Sequence, residues 1–204
     1  MRIVPEYTRR NVPSGIIFDL DGTLFDREGA LLAWSLERIA TDIDETLRAR
    51  ILRIARSSPT RSIFLKRVNP LFTMPAARDE LDTTLDAFIT PNEALRTSLR
   101  GVQARMPMAL LSNGDGALQR RKLRACGLDE LFRERVFISG ETGCIKPDPR
   151  AFEAARASLG VPAQETLMVG NHPRLDIKPA KRLGYQTAVV EGPGDVIRLL
   201  ERML

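Results

Sequence analysis

The chain has little of what nitrogen and sulfur chemistry needs: among 204 residues there is one histidine, His172, and two cysteines, Cys126 and Cys144. A single histidine excludes a multi-histidine metal centre. The two cysteines are too few and too far apart for a zinc site or a CxxC redox pair, so both read as reduced thiols. No apolar run is long enough to span a bilayer, and Met1 to Ser14 lacks the apolar centre of a signal peptide, so a cytoplasmic location is expected and no membrane partner is. Neither an internal repeat nor a low-complexity tract is present. Aromatic residues make up 5% of the chain. The basic cluster Arg120, Arg121, Lys122 and Arg124 therefore has few neighbours on which bases could stack, and nucleic acid is not an expected partner.

Acidic residues are absent between Glu45 and Asp79, where Arg48, Arg50, Arg53, Arg56, Arg61, Lys66, Arg67 and Arg78 all fall. The net charge is +5 and the pI near 9.7, a balance that favours acidic ligands. Such a run reads first as a solvated face. Its functional reading is that one or two arginines select an anionic leaving group.

Against these absences stands Ile16-Ile17-Phe18-Asp19-Leu20-Asp21-Gly22-Thr23-Leu24-Phe25, an apolar strand that runs into two carboxylates and a glycine turn. In an α/β protein the carboxyl end of a buried parallel strand opens into the ligand crevice. Two carboxylates crowded there need a cation or a shared proton to relieve their repulsion. Asp19-Leu20-Asp21-Gly22-Thr23-Leu24 resembles the first motif of the haloacid dehalogenase-like hydrolase superfamily. The resemblance implies that Asp19 is a nucleophile forming an aspartyl phosphate and Asp21 a general acid/base, with Thr23 near the substrate.

Three further stretches resemble the later motifs, in the family's order. Met106 to Asp115 is an apolar run ending in Ser112-Asn113-Gly114, where the resemblance assigns Ser112 to the phosphoryl group and Asn113 and Gly114 to substrate contact. Gly143 to Pro149 carries Lys146 in a rigid Lys-Pro-Asp-Pro turn, implied to neutralise phosphoryl and carboxylate charge. Thr166 to Ile177 has the strand, the glycine turn and the distal Asp176. Here Asn171 stands where the family usually carries a metal-binding Asp. An amide oxygen still ligates a hard cation. The implied Mg²⁺ set is Asp19, the Asp21 carbonyl, Asn171 and a water held by Asp176, with a reduced affinity. His172, beside Asn171, reads as a structural hydrogen-bonding residue in that loop.

Apolar runs at Gly15 to Leu20, Met106 to Leu111, Val136 to Ile138, Thr166 to Val169 and Thr187 to Val190 predict five strands. Leu95, Leu99 and Val102, and likewise Phe152, Ala155 and Leu159, recur at helical spacing, and Pro179 suits a first helical turn. The expected fold is α/β, a Rossmann-like doubly wound and mostly parallel sheet with an inserted α-helical cap. Residues 1–27 and 91–204 form the expected core and 28–90 the cap. Within the cap, Leu32, Leu36, Ile39, Ile43 and Leu47 form a predicted stripe, with Asp42 and Glu45 as a capping-box-like helix start. Trp34 reads as cap core. The resemblance implies a cap that closes over the nucleophile.

The function these residues imply is an Mg²⁺-dependent phosphomonoester hydrolase acting on a small anionic phosphorylated metabolite. Asp21 disfavours the dehalogenase and phosphonatase branches, whose first motif lacks it. Two alternatives stay open at this point: a phosphomutase, and a catalytically weak binding or regulatory protein, motivated by Asn171. The oligomeric state is not legible.

Overall fold

The computed structural model describes residues 12–40, 42–58 and 60–203. Most of the leader reading, over Met1 to Ser14, thus lies outside the described residues. Among them, no helix is long and apolar enough to cross a membrane. The chain divides into two compact units, one over Met1–Phe25 and Pro91–Leu204 and one over Asp26–Thr90.

The first unit is built on five strands: β1 (Gly15–Phe18), β2 (Met108–Ser112), β3 (Val136–Ile138), β4 (Thr166–Gly170) and β5 (Gln186–Val189). They form one sheet in the order β3-β2-β1-β4-β5, every pair parallel, with Ile17 in register with Ala109 on one side and Met168 on the other. β1, β2 and β4 are buried at every position. That is why they read as unbroken apolar runs rather than alternating ones.

Helices cover both faces of this sheet. Phe152, Ala155 and Leu159, from the helix Pro149–Leu159, cluster with Ile17, Ala109, Leu111 and Met168 on one face. On the other, Phe18 meets Phe132 edge to face at 6.1 Å between ring centroids. The helices Glu93–Gln103 and Pro193–Met203 pack on each other and bury Leu95, Leu99, Val102, Val196, Leu199 and Leu200. Each such side chain contributes about 1.5–3 kcal/mol of transfer free energy. Pro179 sits in the first turn of the helix Lys178–Arg182, where its missing N–H costs nothing.

From β1 the chain proceeds outward through β2 to β3, then crosses back to lay β4 and β5 on the opposite side of β1. Connections therefore leave in opposite directions at the carboxyl ends of β1 and β4, which opens a crevice there.

The second unit is helical, with helices Arg27–Leu36, Glu45–Ser57, Arg61–Val68 and Arg78–Thr84. Trp34 is its centre: fully buried, edge to face with Phe72, and donating its indole N–H to Thr84 Oγ1 at 2.8 Å. Two local expectations need correction. The helix over 45–57 starts at Asp44, whose carboxylate accepts from the Leu47 amide at 2.7 Å, and not at Asp42, because only Asp44 lies three residues before a free first-turn N–H. The buried stripe of the preceding helix runs through Ala30, Leu31, Trp34 and Ser35, with Leu32 and Leu36 half-buried. The helix ends at Leu36, so the spacing through Ile39 and Ile43 is not helical.

The basic run of this unit has mixed duties. Arg61 pairs with Asp82 at 2.6 Å and Arg67 donates to the Ser57 carbonyl at 2.9 Å, both ties between helices, while Arg78 bonds the same Asp82 carboxylate from within its own helix. Arg48, Arg50 and Arg53 are exposed along one helix.

Candidate active site

Asp19 and Asp21 leave β1 at the crevice. The Asp19 amide still donates to the Val169 carbonyl of β4 at 2.9 Å, so the ladder holds the backbone one residue past the strand and fixes where the carboxylate emerges. That carboxylate is 7% exposed. Lys146 Nζ donates to its Oδ1 at 2.7 Å and Thr23 Oγ1 to its Oδ2 at 3.1 Å.

Lys146 arrives from the turn before the helix Pro149–Leu159. Its fully buried ammonium also donates to Asp176 Oδ1 at 2.7 Å and to the Leu111 carbonyl at 2.9 Å, which uses all three N–H bonds. Burial pushes against the lysine charge, but the two carboxylates prevail and raise its pKa above the ordinary value. Burial likewise raises Asp19, to about 6; Lys146 opposes that rise while the charges of Asp176 and Asp21 add to it. Three groups from three loops thus form a buried carboxylate–ammonium–carboxylate triad.

Asp176 closes the loop after β4. Its Oδ2 accepts the His172 amide at 2.9 Å, and a methyl group at Gly170 would lie 2.6 Å from that oxygen, so only glycine permits the approach. His172 caps the short turn that follows, its Nδ1 accepting from the Arg174 and Leu175 amides at 3.2 Å each. This is a structural role at the helix start. Asn171 lies over the first loop: a Cβ at Gly22, whose φ is +77°, would come within 2.3 Å of Asn171 Nδ2.

The second loop serves the third. Asn113 Nδ2 donates to the Lys146 carbonyl at 3.0 Å while its Oδ1 accepts the Lys146 amide at 2.8 Å, a two-point clamp on the lysine backbone. The Gly114 amide donates to Ser139 Oγ at 2.9 Å, and its carbonyl accepts from Gly140 at 2.9 Å. Both residues were expected to touch substrate; the structure engages the Asn113 side chain and the Gly114 amide in holding neighbouring loops. Ser112, at the end of β2, is buried.

Two residues to which the sequence reading gave no part in the site complete the arrangement. Gln119 Nε2 donates to Asp21 Oδ2 and to Ser112 Oγ, both at 2.6 Å. Lys122, grouped by sequence with the exposed basic cluster, is instead fully buried and paired with Asp21 Oδ1. The available signal was periodicity: Leu118, Gln119, Lys122, Leu123 and Cys126 share one buried stripe of the helix Gly116–Ala125 and its cap residue, so the two polar residues had to be facing the interior.

Among the described residues, no three His, Cys, Asp or Glu side chains converge into a ready metal cluster. The four expected ligands nevertheless offer only oxygen donors, from two carboxylates, a main-chain carbonyl and an amide, and hard oxygen ligands suit Mg²⁺.

The chain has relatives among known proteins. A sequence profile of the haloacid dehalogenase-like hydrolases matches residues 13–184. The chain is 35% identical over 162 residues to a phosphoserine phosphatase of Thermus thermophilus, an alignment covering 79% of this chain and 58% of that protein. Over 179 residues it is 27% identical to the pyrophosphatase PpaX of Halalkalibacterium halodurans, covering 86% of this chain and 82% of the relative. It shares its fold with the magnesium-bound HAD-hydrolase YfnB of Bacillus subtilis, at a TM-score of 0.66 and 19% identity, covering 93% of this chain and 99% of that one. With the five-stranded parallel sheet and the matching motifs, these similarities place the chain in the haloacid dehalogenase-like hydrolase family.

Proposed function

We propose that this chain is an Mg²⁺-dependent phosphomonoesterase that acts on a small phosphorylated metabolite through an aspartyl-phosphate intermediate. The observation that carries the reading is the oriented Asp19 carboxylate, at the carboxyl end of β1 and held at one oxygen by Lys146 and at the other by Thr23.

A carboxylate oxygen of Asp19 attacks phosphorus in line with the leaving oxygen. As the P–O bond to the leaving group breaks, that oxygen takes a proton from Asp21, so an alcohol departs rather than an alkoxide. Asp21 then accepts a proton from water as the water attacks the phosphoryl group. The bond to Asp19 breaks, and inorganic phosphate and the free carboxylate result. Ser112 and Lys146 stabilise the charge on the equatorial oxygens. Asp19, the Asp21 carbonyl, Asn171 and, through water, Asp176 would hold Mg²⁺, which supplies positive charge against the phosphoryl oxygens. A cytoplasmic setting suits this chemistry.

A second reading, a binding or regulatory protein of weak activity, draws on Asn171, which removes one negative charge from the expected ligand set. Both are tested by assaying the purified chain with added Mg²⁺ against 4-nitrophenyl phosphate and a panel of phosphorylated metabolites. Turnover that disappears in Asp19→Asn is the expected result. No turnover on any substrate, or turnover undiminished in Asp19→Asn, overturns the aspartyl-phosphate reading.

A further inference from the structure

Asp21 lies in the loop after β1 and Ser112 ends β2, yet one side chain touches both. Gln119 Nε2 lies 2.6 Å from Asp21 Oδ2 and 2.6 Å from Ser112 Oγ, and Gln119 is 1% exposed. An amide nitrogen carries two protons and no acceptor, and only the nitrogen of the amide can face an ionised carboxylate. The two shortest contacts take both protons, one to the carboxylate and one to the serine oxygen, with the Asn113 carbonyl farther off at 3.3 Å. Ser112 accepts that bond through a lone pair, which leaves its own proton available to a phosphoryl oxygen.

Lys122 supplies the second half of the arrangement. One helical turn beyond Gln119, it pairs with the other oxygen of the Asp21 carboxylate and lies 5.5 Å from the Phe25 ring centroid. Burying a lysine charge against a single carboxylate is a poor source of stability, because desolvation of the two ions offsets their attraction. Such a pair does fix direction: with both carboxylate oxygens bonded, the Asp21 side chain is restricted to one orientation.

We propose that Gln119 and Lys122 are positioning residues that set the Asp21 carboxyl group and the Ser112 hydroxyl in a fixed relation: each Asp21 oxygen keeps a second lone pair on which the leaving-group proton is carried, so that this proton and the phosphoryl hydrogen bond are delivered from one rigid unit. The proposal rests on the phosphatase reading above. It assigns the face of the helix Gly116–Ala125 to catalysis through geometry, without placing either residue on the substrate.

The test compares two probes with different demands on the acid. Ethyl phosphate expels a basic alkoxide and needs its proton; 4-nitrophenyl phosphate expels a stable anion and needs it far less. Lys122→Met and Gln119→Leu are measured for kcat and KM on both, with Asp21→Asn as reference and thermal melting to verify the fold. Misplacing the acid should lower kcat on ethyl phosphate at least about tenfold more than on 4-nitrophenyl phosphate, with KM changing little, and Asp21→Asn should lean the same way. Equal losses on both probes, or no loss, overturn the proposal. Gln119→Leu has a similar side-chain volume and removes the whole amide, so it carries the test where Lys122→Met fails to fold. Absence of wild-type turnover overturns the phosphatase reading instead. Crystal structures of the two variants then decide the positioning: an Asp21 carboxylate displaced relative to Ser112 supports it, and an unmoved one refutes it.

Discussion

Lys146 Nζ and Asp19 Oδ1 are 2.7 Å apart although 127 residues separate them in the chain, and the pair is buried together with Asp176. Two carboxylates share one ammonium in this largely buried place. Burial, only partly opposed by Lys146, raises Asp19 to about 6 from an ordinary value of 3.8. The sign follows from the linkage: protons bind the folded state more tightly than the unfolded one, so stability from this group is fully present below 3.8 and is lost as pH rises to about 6.

Asp19→Asn should therefore abolish turnover while raising the melting temperature in metal-free buffer. The amide oxygen still accepts from Lys146, and the triad becomes a balanced pair with Asp176. A gain on the order of 5 °C is expected at pH 8, shrinking towards pH 5. Melting curves at the two pH values check it; a variant less stable at pH 8 than at pH 5, relative to the parent, contradicts the charge argument.

Lys146→Met should have the opposite effect on stability. It leaves Asp19 and Asp176 facing each other without their common cation, and losing one member of a buried ionic group costs about 3–5 kcal/mol. Urea unfolding measures the loss. Adding Asp19→Asn to Lys146→Met should recover part of it, and strict additivity of the two changes would show that the triad is not coupled.

Asn171→Asp restores a charge beside Asp19 and Asp21. The Mg²⁺ concentration giving half-maximal activity should fall, with the fold unchanged. Unchanged metal dependence would remove Asn171 from the ligand set. Gly22→Ala probes the same contact from the other side: φ is +77° and the added methyl would stand 2.3 Å from Asn171 Nδ2. It should lower stability by about 1–3 kcal/mol and disturb metal dependence together, measured by melting and Mg²⁺ titration.

The two thiols should differ sharply in reactivity. Cys126 is buried, and burial together with the Asp21 charge pushes its thiol up to about 12, with Lys122 opposing. Cys144 is half-buried. Iodoacetamide at pH 8 should modify Cys144 in the native protein and reach Cys126 only after denaturation, as read by mass spectrometry. Early labelling of Cys126 would mean that the helix carrying Lys122 opens readily.

The strands, the crossover helices and the order of the four loops at the crevice follow from local properties: apolar runs long enough for a buried strand, helical spacing at Leu95-Leu99-Val102, and turns of glycine, proline and asparagine. Those properties need only neighbours in the chain, so the sequence by itself determined the α/β class and the positions of Asp19, Asp21, Ser112, Lys146, Asn171 and Asp176 at loop ends. The tertiary structure alone decided what those loops do to one another. Asn113 was read as a substrate contact, and nothing local showed that its side-chain amide clamps the Lys146 backbone. Lys122 belonged by sequence to a basic cluster with no assigned role, and its pairing with Asp21 spans 101 residues. Asp42 was read as the helix cap; the structure puts Asp44 there, its carboxylate accepting from the Leu47 amide. The physical reason is the same each time: a residue's periodicity is set by the few residues around it, whereas the partner of a buried charge is set by strand order, which brings β1 between β2 and β4 and so delivers to one crevice groups that no local pattern connects.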